Sequence, residues 1–295
     1  MRALTSQERD ALIGYLEDDH GRGDPTSALF GAKDRGRAVI ICEEGGILSG
    51  LEPAQFIFSV LGATLKVTEG LTTGAMLDKG ASVAEVEGPV PSLLAGERTA
   101  LNLLSRMSGI ATMAKKASEL ASGSSPGARV AGTRKTTPGS HLFEKRALMD
   151  GGALPHRTDL SSLAMVKDNH IAALGGGPAA IGRAVSKLKY LYGPYLPIEV
   201  ECGTVEEAIA ALEAGADIIM LDNMGVDGVR KTSSALRDAM SRSHKRASIE
   251  ASGGIALKDI PLIAPHVDVI SMGSLTYGAH PISFKMEMEL SLPHK

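Results

Sequence analysis

The chain has 295 residues, 43% of them apolar, with a formal net charge of −3 and a pI near 6.3. That length suffices for one large α/β domain or two smaller ones with a buried core. The charge argues against a general nucleic-acid binder, and the lack of Trp with only 3% aromatics removes the stacking platforms that hold single strands.

Thr5-Ser6-Gln7-Glu8 has the capping-box pattern, and Leu12, Ile13 and Leu16 follow at helical spacing, so a first helix is expected to end near Asp18. Residues 1–10 are polar, without an apolar leader core, and no later stretch approaches the length of a membrane span. A cytoplasmic protein without a membrane partner is expected. After a loop through Ser27, short strands are expected at Ala38–Cys42, Thr64–Val67 and Ser82–Val86, with a helix over about Pro53–Leu61 among them, an α+β module. Cys42 and Cys202 lie far apart with no metal-ligand rhythm around them, which fits a reducing compartment. Pro91 opens a long helix in which Leu94, Leu101, Leu104 and Ile110 share a buried stripe while Arg98 lies on another face.

From Arg129 onward short apolar runs alternate with helical patterns, the signature of a parallel sheet. The runs are followed in turn by Arg134-Lys135, Lys167-Asp168, Glu201, Asp222-Asn223, Ser252-Gly253-Gly254 and Gly273-Ser274. Polar groups at the ends of so many strands favour a barrel, whose active site occupies its C-terminal face, over an open doubly wound sheet. No Gly-x-Gly-x-x-Gly follows the first strand, so the dinucleotide fingerprint is missing. The final segment, Pro281–Leu290, alternates Ile282, Phe284, Met286, Met288 and Leu290 with polar residues, a half-buried strand or a helix end that returns to the N-terminal module.

The basic residues of Gly132-Thr133-Arg134-Lys135-Thr136-Thr137-Pro138-Gly139, Pro155-His156-Arg157 and Lys167-Asp168-Asn169-His170 are interleaved with turn residues rather than acidic partners. They sit beyond strand ends, which an ordinary solvated charge run does not respect, and are suited to holding anions. Ser252-Gly253-Gly254 after a strand over Ala247–Ile249, and Met272-Gly273-Ser274 after one over Val267–Ile270, form the two halves of a phosphate cradle made of backbone N–H groups and a helix N-terminus. Glu201 and Asp222 can contact Mg²⁺ indirectly, bind ribose hydroxyls, stabilise a developing positive charge, or act as counter-ions for Lys135 and Lys167. Gly175-Gly176-Gly177 reads as a flexible connector, and His20 and His170 as structural.

Together these motifs closely resemble the quinolinate phosphoribosyltransferase family, also called nicotinate-nucleotide pyrophosphorylases. The resemblance extends through the loop after Glu17-Asp18, Gly96-Glu97-Arg98-Thr99-Ala100-Leu101-Asn102 and Val200-Glu201-Cys202, nearly the whole chain. It implies an incomplete α/β (TIM-like) barrel over 111–274 and an N-terminal α+β domain over 1–110, joined by 275–295. It implies transfer of phosphoribosyl from phosphoribosyl pyrophosphate to quinolinate with decarboxylation, giving nicotinate mononucleotide, pyrophosphate and CO₂ in de novo NAD biosynthesis, a pentosyltransferase reaction. Mg²⁺ is required and no organic cofactor. Quinolinate then falls to Arg134, His156, Arg157 and Lys167, with Arg98 reaching the neighbouring subunit's site in a homodimer or a hexamer built as a trimer of dimers. Sugar and phosphate fall to Lys135, Glu201, Asp222, Ser252, Gly253, Gly254, Gly273 and Ser274, and the catalytic set is Lys135, Lys167, Glu201 and Asp222.

Ser140-His141 and Arg146 depart from the family pattern, which has a hydrophobic residue with Arg and then Tyr at those places; Leu154-Pro155 and Met224 are also uncommon. The alternatives are a relative acting on nicotinate, the molybdenum-operon relative, a Schiff-base aldolase barrel using Lys167, and a non-catalytic metabolite-binding module.

Overall fold

The computed structural model describes residues 2–31 and 33–289. The chain divides into two compact units, one of Met1–Lys115, Thr137–Gly152 and Gly278–Lys295, the other of Lys116–Thr136 and Ala153–Tyr277. The division expected at residue 110 therefore falls inside a helix, and 137–152, expected in the barrel, belongs to the first unit. Among the described residues no helix is long and apolar enough to cross a membrane.

In the first unit, α1 (Ser6–His20) starts at its expected cap. Thr5 Oγ1 accepts the Glu8 N–H at 3.2 Å, and the Glu8 carboxylate accepts the Thr5 N–H at 2.7 Å. The helix runs two residues beyond Asp18 and stops at Gly21. There follow β1 (Arg35–Cys42), β2 (Gly46–Ile47), α2 (Leu51–Val60), β3 (Thr64–Val67), β4 (Met76–Leu77) and β5 (Ser82–Pro89). Ala38, Ile40 and Cys42 alternate into the core of β1. The C-terminal strand Phe284–Glu289 pairs antiparallel with β1, Ala38 opposite Met288 and Cys42 opposite Phe284, in a sheet ordered C-terminal strand, β1, β5, β3. Its period-two pattern is thus a strand and not a helix; Leu290 lies outside the described residues.

Helix α3 (Val90–Ser124) begins one residue before Pro91 and runs from the first unit into the second. It buries Leu93, Leu101, Leu104 and Ile110; Leu93 takes the place expected for Leu94, which stays half-buried. Gly109 is required on its face, because a Cβ there would overlap the His280 carbonyl oxygen and lie 3.0 Å from Pro281 Cα. Only glycine lets the C-terminal segment lie against the helix.

Helix α4 (His141–Asp150) buries charge instead of hydrocarbon: Glu144, Lys145 and Arg146 are all inside. Arg146 Nη1 meets Glu8 Oε1 at 3.2 Å, and Nη2 lies 3.8 Å from Glu52 Oε1 and donates to the Arg2 carbonyl. One guanidinium thereby fixes the capping glutamate of α1 and the chain just before it. The departure expected at Arg146 is thus a buried ion-pair hub in this chain.

The second unit holds β6 (Arg129–Ala131), β7 (Ala164–Val166), α5 (Asp168–Ala173), α6 (Gly177–Tyr192), β8 (Ile198–Cys202), α7 (Val205–Ala214), β9 (Ile218–Asp222), α8 (Gly225–Ser243), β10 (Ser248–Ser252), α9 (Ile260–Ile263), β11 (Val269–Ser271) and α10 (Ser274–Tyr277). The six strands make a parallel sheet ordered β6-β11-β10-β9-β8-β7. Strands β6 and β7 are its two edges, so the barrel is incomplete. Val200, Ile219, Leu221, Ile249 and Ala251 are fully buried on one face of the sheet, as expected where crossover helices cover it. The opposite face is polar, and register places Met165 beside Glu199, Glu201 and Glu250 beside Met220, and Ser252 beside Asp222. Strand β10 extends to Ser252 rather than ending at Ile249, so Glu250 lies inside the sheet and not in the following turn. Strand β11 likewise starts at Val269 and ends at Ser271 instead of spanning 267–270.

Candidate active site

A cavity of about 430 Å³ opens at the C-terminal ends of these strands. Arg134 and Lys135 reach it from the turn after β6, Lys167 from the end of β7, Glu201 and Asp222 from the ends of β8 and β9, and Ser252, Gly253 and Gly254 from the end of β10. His156 and Arg157 join them from the segment between α4 and β7. Residues scattered from 134 to 254 thus converge because parallel strands present their C-terminal ends on one rim.

Gly273 and Ser274, expected as the second half of the phosphate cradle, are not among the lining residues. Gly273 instead lies against Lys135: a Cβ there would stand 2.8 Å from Lys135 Cδ, so its lack of side chain lets that lysine lie across the turn. Ser274 begins α10, where Thr276 Oγ1 donates to the Lys135 carbonyl at 2.5 Å. The Lys135 backbone is therefore tied to the turn after β11. Arg98 is exposed on α3 in the first unit. Gly175–Gly177 fall outside the pocket, Gly175 and Gly176 connecting α5 to α6 and Gly177 opening α6, and His170 Nδ1 accepts the Lys167 N–H at 3.0 Å at the start of α5, a structural role.

The pocket is cationic with an acidic side. Lys167 Nζ lies 2.7 Å from Glu201 Oε2. Asp222 Oδ2 accepts from the Asn223 amide at 2.5 Å. Burial, followed by the neighbouring Arg134 guanidinium, pushes the Arg157 pKa down, as expected where cations crowd around a place for an anion. The chain after Gly254 forms a single 3₁₀ turn, Leu257–Asp259, and the four-residue α9. An anion there meets glycine N–H groups rather than the dipole of a long helix.

Gly253 leaves no room for a side chain. Its φ is +90°, and a Cβ would stand 2.7 Å from the Asn223 backbone nitrogen and overlap the Asn223 side-chain oxygen. Gly253→Ala is expected to cost more than about 1 kcal/mol by thermal unfolding and to displace Asn223, and with it its Asp222 hydrogen bond. Unchanged stability would show that the turn relaxes freely.

Two carboxylates that sequence reasoning had not placed in the site lie beneath it. Glu199 and Glu250 are 0% and 2% exposed on the inner face of the sheet. His156 Nε2 stands 3.6 Å from Glu199 and 3.3 Å from Glu250. The spacing contained the clue: Glu199 precedes Glu201 by two residues in a strand, as Glu250 precedes Ser252, so each shares a face with a pocket residue one layer above. Burial raises the Glu199 carboxyl against the pull of His156. Burial also opposes charge on His156, but the two carboxylates outweigh it and raise the imidazole to about 9.

Residues 24–108 match the N-terminal domain and residues 110–287 the C-terminal domain of quinolinate phosphoribosyl transferase. The chain belongs to this family. It is 42% identical to the nicotinate-nucleotide pyrophosphorylase [carboxylating] of Homo sapiens over 263 residues, covering 89% of this chain and 85% of the human protein. The probable enzyme of that name from Bacillus subtilis is 36% identical, with 97% and 94% covered. The crystal structure of NadC from Streptococcus pyogenes superposes with a TM-score of 0.87 at 34% identity over 97% of this chain and 98% of that one. Membership in the quinolinate phosphoribosyltransferase family agrees with the incomplete barrel and N-terminal α+β unit described above, and with a pocket rich in cations.

Proposed function

We propose that the chain is a nicotinate-nucleotide diphosphorylase (carboxylating), a pentosyltransferase that joins the phosphoribosyl group of phosphoribosyl pyrophosphate to quinolinate and removes one carboxylate as CO₂. The observation that carries this reading is the convergence of Arg134, His156, Arg157 and Lys167 on one cavity that is also lined by Glu201, Asp222 and the Ser252-Gly253-Gly254 turn. Quinolinate bears two adjacent carboxylates, and guanidinium forks engage such groups in bidentate fashion. A monocarboxylate has no use for so many cations, which sets nicotinate aside as the acceptor.

Held by its carboxylates, quinolinate presents its ring nitrogen to the anomeric carbon of the sugar. The new N–C bond forms as the bond to pyrophosphate breaks, and the electron pair leaves on the diphosphate. Glu201 and Asp222 stabilise the positive charge that develops on the sugar, while Lys135 and the glycine turn hold phosphate oxygens. The ribosylated ring is a pyridinium, so when the bond to the C2 carboxylate breaks, the pair left on C2 lies next to a positive nitrogen. A proton at C2 completes nicotinate mononucleotide. No Schiff base is needed, which leaves Lys167 as a cationic binding group paired with Glu201 rather than a nucleophile.

Mg²⁺ fits this pocket as an ion carried on the diphosphate. Glu201 is already engaged by Lys167 and Asp222 by Asn223, and among the described residues these two carboxylates have no third ligand-type residue clustered with them. That is too little for an all-protein cage and suits an ion that keeps its waters and its phosphate ligands. When bound, Mg²⁺ neutralises the leaving pyrophosphate.

The protein acts as a homodimer or an assembly of dimers, with Arg98 completing a neighbour's pocket. The purified protein with Mg²⁺ and phosphoribosyl pyrophosphate should consume quinolinate and leave nicotinate unused; preferential turnover of nicotinate would overturn the dicarboxylate reading. Mixing inactive Arg98→Ala with inactive Lys167→Ala subunits should restore activity. Hybrids as inactive as their parents would place Arg98 outside the shared site.

A further inference from the structure

We propose that Glu199 and Glu250 are positioning residues for substrate recognition: clamping Nε2 of His156 from within the sheet, they fix the ring and its charge at the floor of the dicarboxylate pocket. The inference rests on the reading of that pocket as the quinolinate site. It assigns the pair a role through His156 and not through contact with substrate.

Three observations carry it. First, the two carboxylates are almost wholly buried on strands β8 and β10, separated in the sheet by β9, and both face the same ring nitrogen, at 3.6 and 3.3 Å. Both Glu199 oxygens and Glu250 Oε1 have no hydrogen-bond partner, so their contact with the ring is electrostatic. Buried carboxylates left so poorly satisfied cost stability, and a sheet lined with Leu or Val would lack that cost. Second, His156 holds a left-handed backbone conformation, φ 57°, which is unfavourable for any residue with a side chain. Third, the Arg157 N–H points at His156 Nδ1 at 2.8 Å, so the neutral ring is held from both edges and its Nε2 edge is turned to the carboxylates.

The charged groups acting on the ring are Glu199 and Glu250, and the Arg157 guanidinium acts on Glu199. Full protonation of the ring places a second N–H at Nδ1 and breaks its contact with the Arg157 N–H, leaving the charged ring held at Nε2 by the two carboxylates. Sign follows from the direction of the shift. The His156 imidazole is raised from 6.5 to about 9, so the clamp contributes stability and cationic binding fully below about 6.5 and loses both as pH rises through about 9.

The test is the nitrogen-15 titration of the His156 imidazole in the full-length protein, assigned by its absence in His156→Gln, together with kinetics of E199Q, E250Q and the double variant. In wild type the ring should titrate well above the ordinary histidine value of about 6.5. E250Q and E199Q should lower that midpoint and raise the quinolinate KM roughly tenfold, with the KM for phosphoribosyl pyrophosphate unchanged. A wild-type midpoint at or below the ordinary value overturns the proposal without any carboxylate variant. So does a folded variant whose His156 midpoint is unmoved, or one in which both KM values rise together, the mark of a merely structural role. If wild type fails to turn over quinolinate, the proposed function falls, yet the titration still reports whether the clamp exists.

Discussion

Arg134→Ala should lower kcat/KM for quinolinate by roughly 100–1000-fold while leaving the KM for phosphoribosyl pyrophosphate close to that of the parent. The side chain emerges from the turn after β6 into the cavity, close enough to Arg157 to depress its pKa. Two guanidinium groups held together repel each other until an anion separates them, so the pocket is poised for a ligand with two negative groups. A fork on a carboxylate makes two charge-assisted hydrogen bonds worth about 1.5–3 kcal/mol each, and loss of about 3–4 kcal/mol corresponds to the stated factor. Arg134→Lys should recover only part of it, because a point charge cannot reproduce the fork. A loss below threefold, or an equal loss for both substrates, would remove Arg134 from quinolinate recognition.

Arg146→Met should be the most destabilising substitution in the first unit, about 3–5 kcal/mol, seen as a fall in Tm of roughly 10 °C. The guanidinium is 2% exposed and faces Glu8, Glu52 and two backbone carbonyls, so its removal leaves carboxylates in the interior without their partner. Burial already pushes the nearby Asp150 carboxyl up, with Ser49 donating to it at 2.6 Å, which marks the region as one where extra negative charge is costly. Adding Glu8→Gln to Arg146→Met should restore part of the loss, since glutamine still serves the capping box and removes one orphaned charge. If the single substitution is neutral, Arg146 is a surface-like residue and the network does not hold the N-terminal helix.

The gathering of polar and glycine residues at the rim was legible in the sequence because the apolar runs of the strands are short and clear and such residues follow each of them. The pattern of β1 was equally plain, while the C-terminal segment, open between strand and helix end by its Met, Glu and Lys content, is settled by its pairing, with Met288, Met286 and Phe284 opposite Ala38, Ile40 and Cys42. What lay deeper was not. Glu250 read as the start of a turn because a carboxylate inside a parallel sheet contradicts the rule that such strands are apolar; only the register beside Met220 and the approach of His156 reveal it. Gly273 read as a phosphate contact, whereas its bareness accommodates Lys135. Residues 137–152 belong to the first unit, where Glu144 pairs with Arg106 and Arg146 with Glu8, links between residues far apart in the chain that leave no periodic trace.

The most direct measurement uses quinolinate labelled in its C2 carboxylate, supplied to the purified protein with phosphoribosyl pyrophosphate and Mg²⁺. One labelled CO₂ should appear for each nicotinate mononucleotide formed, and none when phosphoribosyl pyrophosphate is withheld. Mononucleotide formed without labelled CO₂, or labelled CO₂ released without phosphoribosyl pyrophosphate, would contradict the account that ribosylation of the ring drives loss of its neighbouring carboxylate.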